Sequence, residues 1–377
     1  MFSYWEQQSF SRYDHVVIGA GIVGLSVAIE LKERHPAART LVLERGLLPT
    51  GATTRNAGFS STGSVTELLD DLEHMTEAEV AGLFMRRLKG LEKLRRRFND
   101  EQIGYRDDGG YELIREAELE ALDRIDYLNE LLRPVAGRTV FRRVDEQIEE
   151  FGFDPGQTRA LIASAAEGTL HSGKLMRALL ALAMQLGVEL RTGAEVAAFH
   201  EEGGAVTVEV HDPFRKTLWP VQAGKLFICT NAFTKKLLPD AEVIPGRGQI
   251  LVTDPVPGLR FRGAFHFDKG YYYFRDIDGR VLIGGGRNLD FAGETTTEFA
   301  VTERIQRELE RQLETMILPG IPFRVAHRWA GIMAFGRSGK TPVVQAFSDR
   351  VFGAFRMSGM GVALSSHVAE ELAILAG

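Results

Sequence analysis

The sequence predicts an α/β fold: a Rossmann-like domain built from separated segments, plus a second domain with a mixed or antiparallel sheet and helices. Three observations lead there. A strand–turn–helix–strand unit fills the first 45 residues. A run of short strands punctuated by glycines extends from 243 to 287. Apolar strands with glycine-rich turns then return between 328 and 363, so the first domain resumes after the second has been inserted into it. The implied boundaries are 12–65, 155–238 and 326–377 for the first domain, and 66–154 and 239–325 for the second.

Residues 14–19 (DHVVIG) read as a buried strand. In the segment that follows, Val27, Ala28 and Leu31 lie at helical spacing, and Pro36 ends the helix. TLVLE (40–44) is the second strand, and 46–64, rich in Gly, Thr, Ser and Asn, is a loop region. From about 65 to 132 the pattern is helical, with GYELI (110–114) as a strand. Val80, Leu83, Phe84, Leu88, Leu91, Leu94 and Phe98 share one helical face. Arg86, Lys89, Lys93, Arg96 and Arg97 lie opposite and read as a solvated face. A helix over 173–187 precedes strand signals at 188–199, 205–210 and 225–230. Strands at VIPGRGQILVT, GAFHF, GYYYFRD and RVLIGGG follow within 243–287. A charged helix at 301–316, strands at 328–335 and 350–359, and a helix at 361–376 complete the chain.

With 377 residues, 44% hydrophobic and 25% charged, the chain has the composition of an ordinary globular protein. A net charge of −6 gives no support to whole-protein binding of nucleic acid or anionic lipid. The one cysteine, Cys229, permits no intrachain disulfide and sits in an apolar run as a core residue. The N-terminus has neither a basic nor an apolar signal region, and apolar runs fall short of the roughly 20 residues that span a bilayer. A cytoplasmic protein without membrane insertion is expected. His171, His266, His327 and His367 show no ligand spacing, so no metal is expected.

The chemistry starts at Gly19-Ala20-Gly21-Ile22-Val23-Gly24, between the first strand and helix. Gly19 allows the tight turn, Gly21 lets backbone approach a pyrophosphate, and Gly24 lets the helix pack on the strand. The helix N-terminus supplies N–H groups for the phosphates. Glu44, about 20 residues further on at the end of the second strand, is placed to accept ribose hydroxyls. This pattern points to an adenine dinucleotide without separating NAD from FAD. Arg45 could hold a 2′-phosphate, but the acid before it disfavours that on charge grounds.

A second loop, Gly51-Ala52-Thr53-Thr54-Arg55-Asn56-Ala57-Gly58-Phe59, follows the second strand. Together with the N-terminal unit and the C-terminal segment it resembles the FAD-dependent D-amino-acid oxidase superfamily, which includes glycine oxidase, sarcosine oxidase and gamma-glutamylputrescine oxidase. The last of these is similar in its Ser-Tyr start, its Gly-Ala-x-x-Arg-Asn loop, and segments like Thr230-Asn231-Ala232 and Trp329-Ala330-Gly331. The resemblance implies FAD as cofactor. It places Ile22 and Val23 at the pyrophosphate turn and Glu44 and Arg45 at the ribose. Ala52, Thr53, Thr54, Arg55, Asn56, Ala57, Gly58 and Phe59 run along the pyrophosphate and isoalloxazine. Val196 meets the adenine through its backbone. Thr230, Asn231, Gly331 and Met333 join this set. Met357-Ser358-Gly359-Met360-Gly361-Val362-Ala363 crosses the flavin pyrimidine edge, where N–H groups opening the last helix face developing negative charge.

In the amino-acid oxidases of this family a tyrosine binds the substrate, and Tyr271 aligns with it. Alternation on a strand puts Tyr271 and Tyr273 on one face. Lys269 is a candidate for placing positive charge near the flavin. Where glycine oxidase has an arginine that clamps the substrate carboxylate, this chain has Met333, which cannot form a bidentate pair. Arg55, Arg328 or Arg337 would have to take that role. Sarcosine oxidase has a cysteine bound to FAD near this point; here it is again Met333, so FAD is expected to be non-covalent.

The expected activity is oxidation of a C–N bond in a small amine or amino-acid derivative by hydride transfer to flavin N5, followed by imine hydrolysis, at a site between the domains. Oxygen or a quinone would be the final acceptor. The alternatives are a D-amino-acid or 2-hydroxy-acid oxidase or dehydrogenase, a tRNA-modifying carboxymethylamine oxidase, and a non-catalytic flavin-binding module.

Overall fold

The structure, a computed structural model, describes residues 2–337 and 339–377. It divides into two compact units. The first comprises the chain up to Thr54, Gly173–Ile244 and Met333–Gly377; the second comprises Arg55–Ser172 and Pro245–Ile332. The seams fall at 54, 172, 244 and 332, against 65, 154, 238 and 325 read from the sequence. One cause is local: Phe59–Ser60 pairs with Gly168–Thr169, which draws the 55–64 loop into the second unit.

In the first unit, strands Val351–Phe355, Thr217–Ile228, Arg12–Ile18, Thr40–Leu43 and Glu189–Arg191 run parallel in that order. Their inner stretches at 16–18, 41–43 and 226–228 are apolar and buried, as parallel strands covered on both faces require, while Arg12, Asp14 and the edge strand Glu189–Arg191 bring polar residues to the sheet's ends and rim. Val16, Ile18, Leu41, Leu43, Leu226, Ile228 and Val351 form one core cluster. Val196–Glu202 and Ala205–Asp212 form an antiparallel meander with Thr217–Ile228. Helix Ile22–Arg34 packs against helix Gly361–Ala376. A helix not anticipated from sequence, Tyr4–Phe10, opens the chain with Ser3 and Glu6 capping each other's backbone.

The second unit holds an eight-stranded mixed sheet in the order Val325–Phe335, Ile244–Thr253, Arg280–Gly285, Tyr272–Ile277, Ala264–Phe267, Gly110–Ile114, Ala160–Ser164, Phe141–Arg143. Ala264–Phe267 runs parallel to Gly110–Ile114, between antiparallel pairs. Its core is phenylalanine-rich, with Phe265 and Phe274 stacked at 4.7 Å and helix Glu303–Gln312 adding Ile305 and Leu309. Within 65–132 the expected strand at 110–114 separates several helices. Helices Val65–Leu72, Glu77–Arg97 and Asp100–Ile103 precede strand Gly110–Ile114, and a 3₁₀ helix, Glu116–Arg124, follows it. The basic face of Glu77–Arg97 is only partly solvated. Lys89 and Arg96 are exposed, Arg86, Lys93 and Arg97 are half-buried, and Arg87 is fully buried. Among the described residues no helix is long and apolar enough to cross a membrane.

Candidate active site

The first unit builds a cradle from the turn after its first strand. Gly19 has φ +101°, and a Cβ there would lie 2.8 Å from the Cys229 carbonyl oxygen. A Cβ on Gly24 would lie 1.9 Å from the Gly19 carbonyl oxygen, so neither position tolerates a side chain. Gly21 is the N-cap of helix Ile22–Arg34 and offers no side-chain cap. The Ile22 amide donates to Thr53 Oγ1 at 2.9 Å, which ties the second glycine-rich loop to the helix start. The Val23 side chain is buried beside this turn. Glu44 accepts from the Ala20 amide at 3.0 Å and the Gly46 amide at 2.9 Å. Its carboxylate is therefore fixed at the strand end, beside the turn.

Around this cradle, Arg45 lies over the Phe233 ring at 3.7 Å. Ala52 opens a 3₁₀ turn with Thr53 and Thr54, and Thr54 Oγ1 donates to the Pro49 carbonyl at 2.9 Å. The Ala194 amide donates to the Glu44 carbonyl at 2.9 Å, which brings the start of the strand at Val196 to the end of Thr40–Leu43.

A second strained turn precedes the last helix. Asn231 has φ +45°, and its Oδ1 accepts from the amides of Arg356 at 3.1 Å and Met357 at 3.3 Å. Arg356 and Ser358 also take left-handed conformations, which non-glycine residues adopt at a cost. The Thr230 and Thr234 hydroxyls are 3.0 Å apart beneath this turn. The Ser358 amide donates to the Ala334 carbonyl at 2.9 Å, while its buried hydroxyl has no hydrogen-bond partner among the described residues. Met333 Sδ packs toward Gly359, 3.6 Å from where a Cβ would sit. Met360 then caps Gly361–Ala376, whose first turn buries Val362 and Ala363. A glycine turn no side chain can fill, a fixed carboxylate and an orphaned buried hydroxyl at a helix start together fit a dinucleotide.

The second unit holds the other expected residues. Arg55 donates through Nη1 to the Ala330 carbonyl at 2.9 Å and lies over Phe299 at 4.6 Å. Trp329 Nε1 donates to the Arg55 carbonyl at 3.0 Å, and Gly331 admits the Arg55 side chain, a Cβ there meeting it at 3.0 Å. Asn56 Oδ1 accepts from the Gly58 amide and Ser172 Oγ, each at 2.7 Å. Ala57, Phe59, Tyr273 and Trp329 share one apolar cluster.

The expectation that Tyr271 and Tyr273 share a face does not hold. Tyr271 precedes the strand Tyr272–Ile277, so strand alternation does not extend to it. Tyr271 packs on Phe291 at 5.7 Å and on the phenylalanine core, whereas Tyr273 packs edge-on against Phe59 at 5.7 Å. Burial pushes the Tyr273 phenol up, beyond any physiological titration. Lys269 is paired with Asp70 at 2.6 Å on an exposed turn.

Sequence reasoning missed four buried or half-buried charges here. His266 Nε2 and Glu167 Oε2 are 3.1 Å apart, and Glu167 Oε1 also accepts from Ser61 Oγ and the amides of Thr62 and Gly63. Burial alone would raise the Glu167 carboxyl and lower the His266 imidazole. Their mutual charge and hydrogen bonding outweigh it, leaving Glu167 lowered and His266 raised. Arg275 donates through Nη1 to the carbonyls of Ala57, Gly58 and Leu170, stitching the 57–58 loop in place. Arg287 lies over Phe291 at 4.9 Å. The GGGRN run that carries Arg287 was a visible glycine-turn signal.

Residues 14–375 match the sequence model of the DAO family, described as FAD dependent oxidoreductase. L-2-hydroxyglutarate dehydrogenase of Escherichia coli (strain K12) is 23% identical over 334 residues, spanning 80% of this chain and 73% of that protein. L-proline dehydrogenase from P. horikoshii superposes with a TM-score of 0.77 at 19% identity, covering 97% of this chain and 93% of that one. Glycine oxidase from Geobacillus kaustophilus gives a TM-score of 0.75 at 20% identity, covering 95% and 93%. The structural likenesses establish the fold, and the family match reaches from the glycine cradle to the last helix. This chain is therefore a member of the DAO family of FAD-dependent oxidoreductases, and FAD is its cofactor.

Proposed function

We propose that the protein oxidises the carbon–nitrogen bond of a small amine or amino-acid derivative, with FAD held non-covalently. The observation that carries this reading is the contact of the half-buried Tyr271 ring with the exposed Phe291 ring at 5.7 Å, on the residue that the resemblance matches to a substrate-binding tyrosine. The proteins whose folds lie close, by their names, act on proline and glycine.

Bound FAD would supply the hydride acceptor for the carbon beside nitrogen, and the oxidised substrate would hydrolyse to a carbonyl compound and an amine. The chain's own part is positioning. Gly19, Gly21 and the N-terminus of Ile22–Arg34 receive the pyrophosphate, Glu44 the ribose, and Ser358 with the turn before Gly361–Ala376 the polar edge of the ring system. No strong general base is required if the amine arrives neutral. Met333 offers no thiol for a covalent link, and burial pushes the Cys229 thiol up to about 12, which leaves it unreactive. Lys269, engaged by Asp70, has no assigned role in the chemistry. The electron acceptor is oxygen or a quinone.

A second reading, oxidation of a 2-hydroxy acid, is favoured by the name of the E. coli relative. Anaerobic visible spectra of the FAD-loaded protein decide between them. Loss of the oxidised-flavin band with glycine, proline, N-methylglycine or a polyamine conjugate supports amine oxidation. Loss only with 2-hydroxyglutarate or lactate selects the second reading. A band that no amine reduces overturns the first.

A further inference from the structure

We propose that an open cleft beside the end of helix Glu303–Gln312 binds a small zwitterion with an apolar body, of the size of an apolar dipeptide. The cleft lies wholly within the second unit, and its occupant is independent of the reading above. Its volume is 520 Å³, within the roughly 300–1,000 Å³ range of small-ligand sites. One wall carries Glu310 and Glu314. The other is the run from Ile321 into Val325–Phe335, the edge strand of its sheet. On the first wall the helix widens after Gln312 into a π-helical turn, Leu313–Ile317, a rare geometry found mostly at functional positions. This turn is anchored from beneath. Leu313, Met316 and Ile317 join the phenylalanine-rich core, the Thr315 carbonyl accepts from Gln157 Nε2 at 2.7 Å, and the Met316 carbonyl accepts from the Asp154 amide at 2.9 Å. Glu314 is left exposed on the outer side of that turn. On the second wall Ile321, Phe323 and Val325 pack partly on the same core and line the cleft with what remains. Arg324, between them, is exposed, while its carbonyl accepts from the Asp254 amide at 2.7 Å and fixes its backbone.

The charges lining the cleft are of two kinds. Arg328 and Glu310 satisfy each other at 2.5 Å, and Arg328 Nη1 also donates to Gln306 Oε1 at 2.7 Å. Gln306 Nε2 donates in turn to Gln249 Oε1 at 3.3 Å, and Gln249 Nε2 to Glu294 Oε1 at 2.9 Å. That pair therefore ends a buried polar line and is engaged by the fold. The side chains of Glu314 and Arg324 have no hydrogen-bond or ion-pair partner among the described residues. One unmatched anion and one unmatched cation on facing walls, with apolar side chains between them, match a ligand whose ammonium and carboxylate flank an apolar part. A ligand with a single charge would leave one of the two unanswered. The four charges on the walls also cancel, so a ligand of zero net charge keeps the cleft neutral.

The test measures binding of three probes to FAD-loaded protein by anaerobic equilibrium dialysis: leucyl-leucine, its C-terminal amide and its N-acetyl form. Leucyl-leucine binds more tightly than either blocked form. Arg324→Gln weakens leucyl-leucine and the N-acetyl form about fivefold, the size expected for an exposed ion pair, and leaves the amide unchanged. Glu314→Gln weakens leucyl-leucine and the amide to the same degree and leaves the N-acetyl form unchanged. Neither side chain has a partner in the fold, so both variants keep the wild-type melting temperature and FAD content. A protein that binds none of the probes, or a variant that loses all three equally, overturns the proposal. Binding that perturbs the flavin spectrum and ignores both substitutions belongs to the flavin site and overturns it as well. Failure of every amine to reduce the flavin would remove the proposed activity and leave this crossed pattern untouched.

Discussion

Ser358 combines two unfavourable features: a left-handed backbone (φ +47°) and a buried hydroxyl without a hydrogen-bond partner among the described residues. Strained backbone costs on the order of 1–3 kcal/mol and persists where surrounding structure enforces it, typically at ligand sites. An unpaired buried hydroxyl adds a similar amount. If FAD relieves that cost, Ser358→Ala raises the melting temperature of the FAD-free protein, by about 1 kcal/mol of stability, and weakens FAD binding about fivefold or more. Opposite signs in the two measurements are the expected result; a fall in both would mean that the hydroxyl serves the fold instead. At this scale the sequence was legible where geometry follows a local spacing, as for the tight turn at Gly19 and Gly24 and the Glu44 carboxylate at its strand end. It was silent on His266 and Glu167, which meet across 99 residues, and on Arg275, whose carbonyl partners lie 105 to 218 residues away. No window of sequence contains those partners.

At the level of elements, the strand–turn–helix unit makes a prediction that separates folding from binding. Gly24→Ala puts a methyl 1.9 Å from the Gly19 carbonyl oxygen, against backbone that cannot yield. Overpacking of this kind costs about 1–3 kcal/mol or more, and both the melting temperature and FAD retention fall. Gly21 has φ −72°, and its Cβ would meet only Thr53 Oγ1, at 3.3 Å. Gly21→Ala therefore keeps its melting temperature, within about 1 kcal/mol of stability, and loses FAD affinity because the methyl occupies the pyrophosphate approach. Equal loss of stability in both variants would contradict this assignment. The closing helix at 361–376 was legible to the residue because a glycine turn and an apolar run mark its start and length. The Tyr271–Tyr273 geometry was not. Alternation predicts facing only inside a strand, and this one begins at Tyr272.

Across the whole molecule, buried titratable groups give the two units opposite responses to pH. His15, in strand Arg12–Ile18 of the first unit, is lowered to about 4, by burial first and by the nearby His35 charge next. Its folded value lies below the ordinary 6.5, so the unfolded chain takes up the proton first and stability falls as pH drops from 6.5 towards 4. In the second unit, burial pushes Glu112 up to about 7, against the hydrogen bonds it accepts from Ser64, Val65 and Thr66. A raised folded value means that its stabilising contribution is full below 4.5 and lost as pH rises through 7. His266, also raised, acts in the same direction above 6.5, while the lowered Glu167 weakens the fold only below 4.5. Hydrogen exchange corrected for intrinsic rates should show strand Arg12–Ile18 losing protection first as pH falls from 6.5 towards 4, and residues 61–66 first as pH rises from 4.5 past 7. Glu112→Gln should flatten the loss between 4.5 and 7; an unchanged loss there would exclude Glu112 as its source. The segmented plan of the chain was legible from the order of its motifs. The seams were not, because they are set by pairings such as Phe59–Ser60 with Gly168–Thr169 that carry no local signal.

That segmented plan bears on how the protein is made. Strand Thr217–Ile228 receives its parallel neighbour from Val351–Phe355, and helix Ile22–Arg34 receives its packing partner from Gly361–Ala376. At 5–20 residues per second, a ribosome needs roughly 6 to 25 seconds to travel from residue 228 to residue 355. Throughout that interval the nascent first unit carries an open strand edge and a bare apolar helix face, the surfaces that holding chaperones capture and that aggregation exploits. The pieces of the second unit, by contrast, have all been synthesised by Ile332. The growing polypeptide is thus vulnerable from the synthesis of Ile228 until that of Val351–Phe355 and Gly361–Ala376, and its yield in a cell depends on chaperone capacity over that interval.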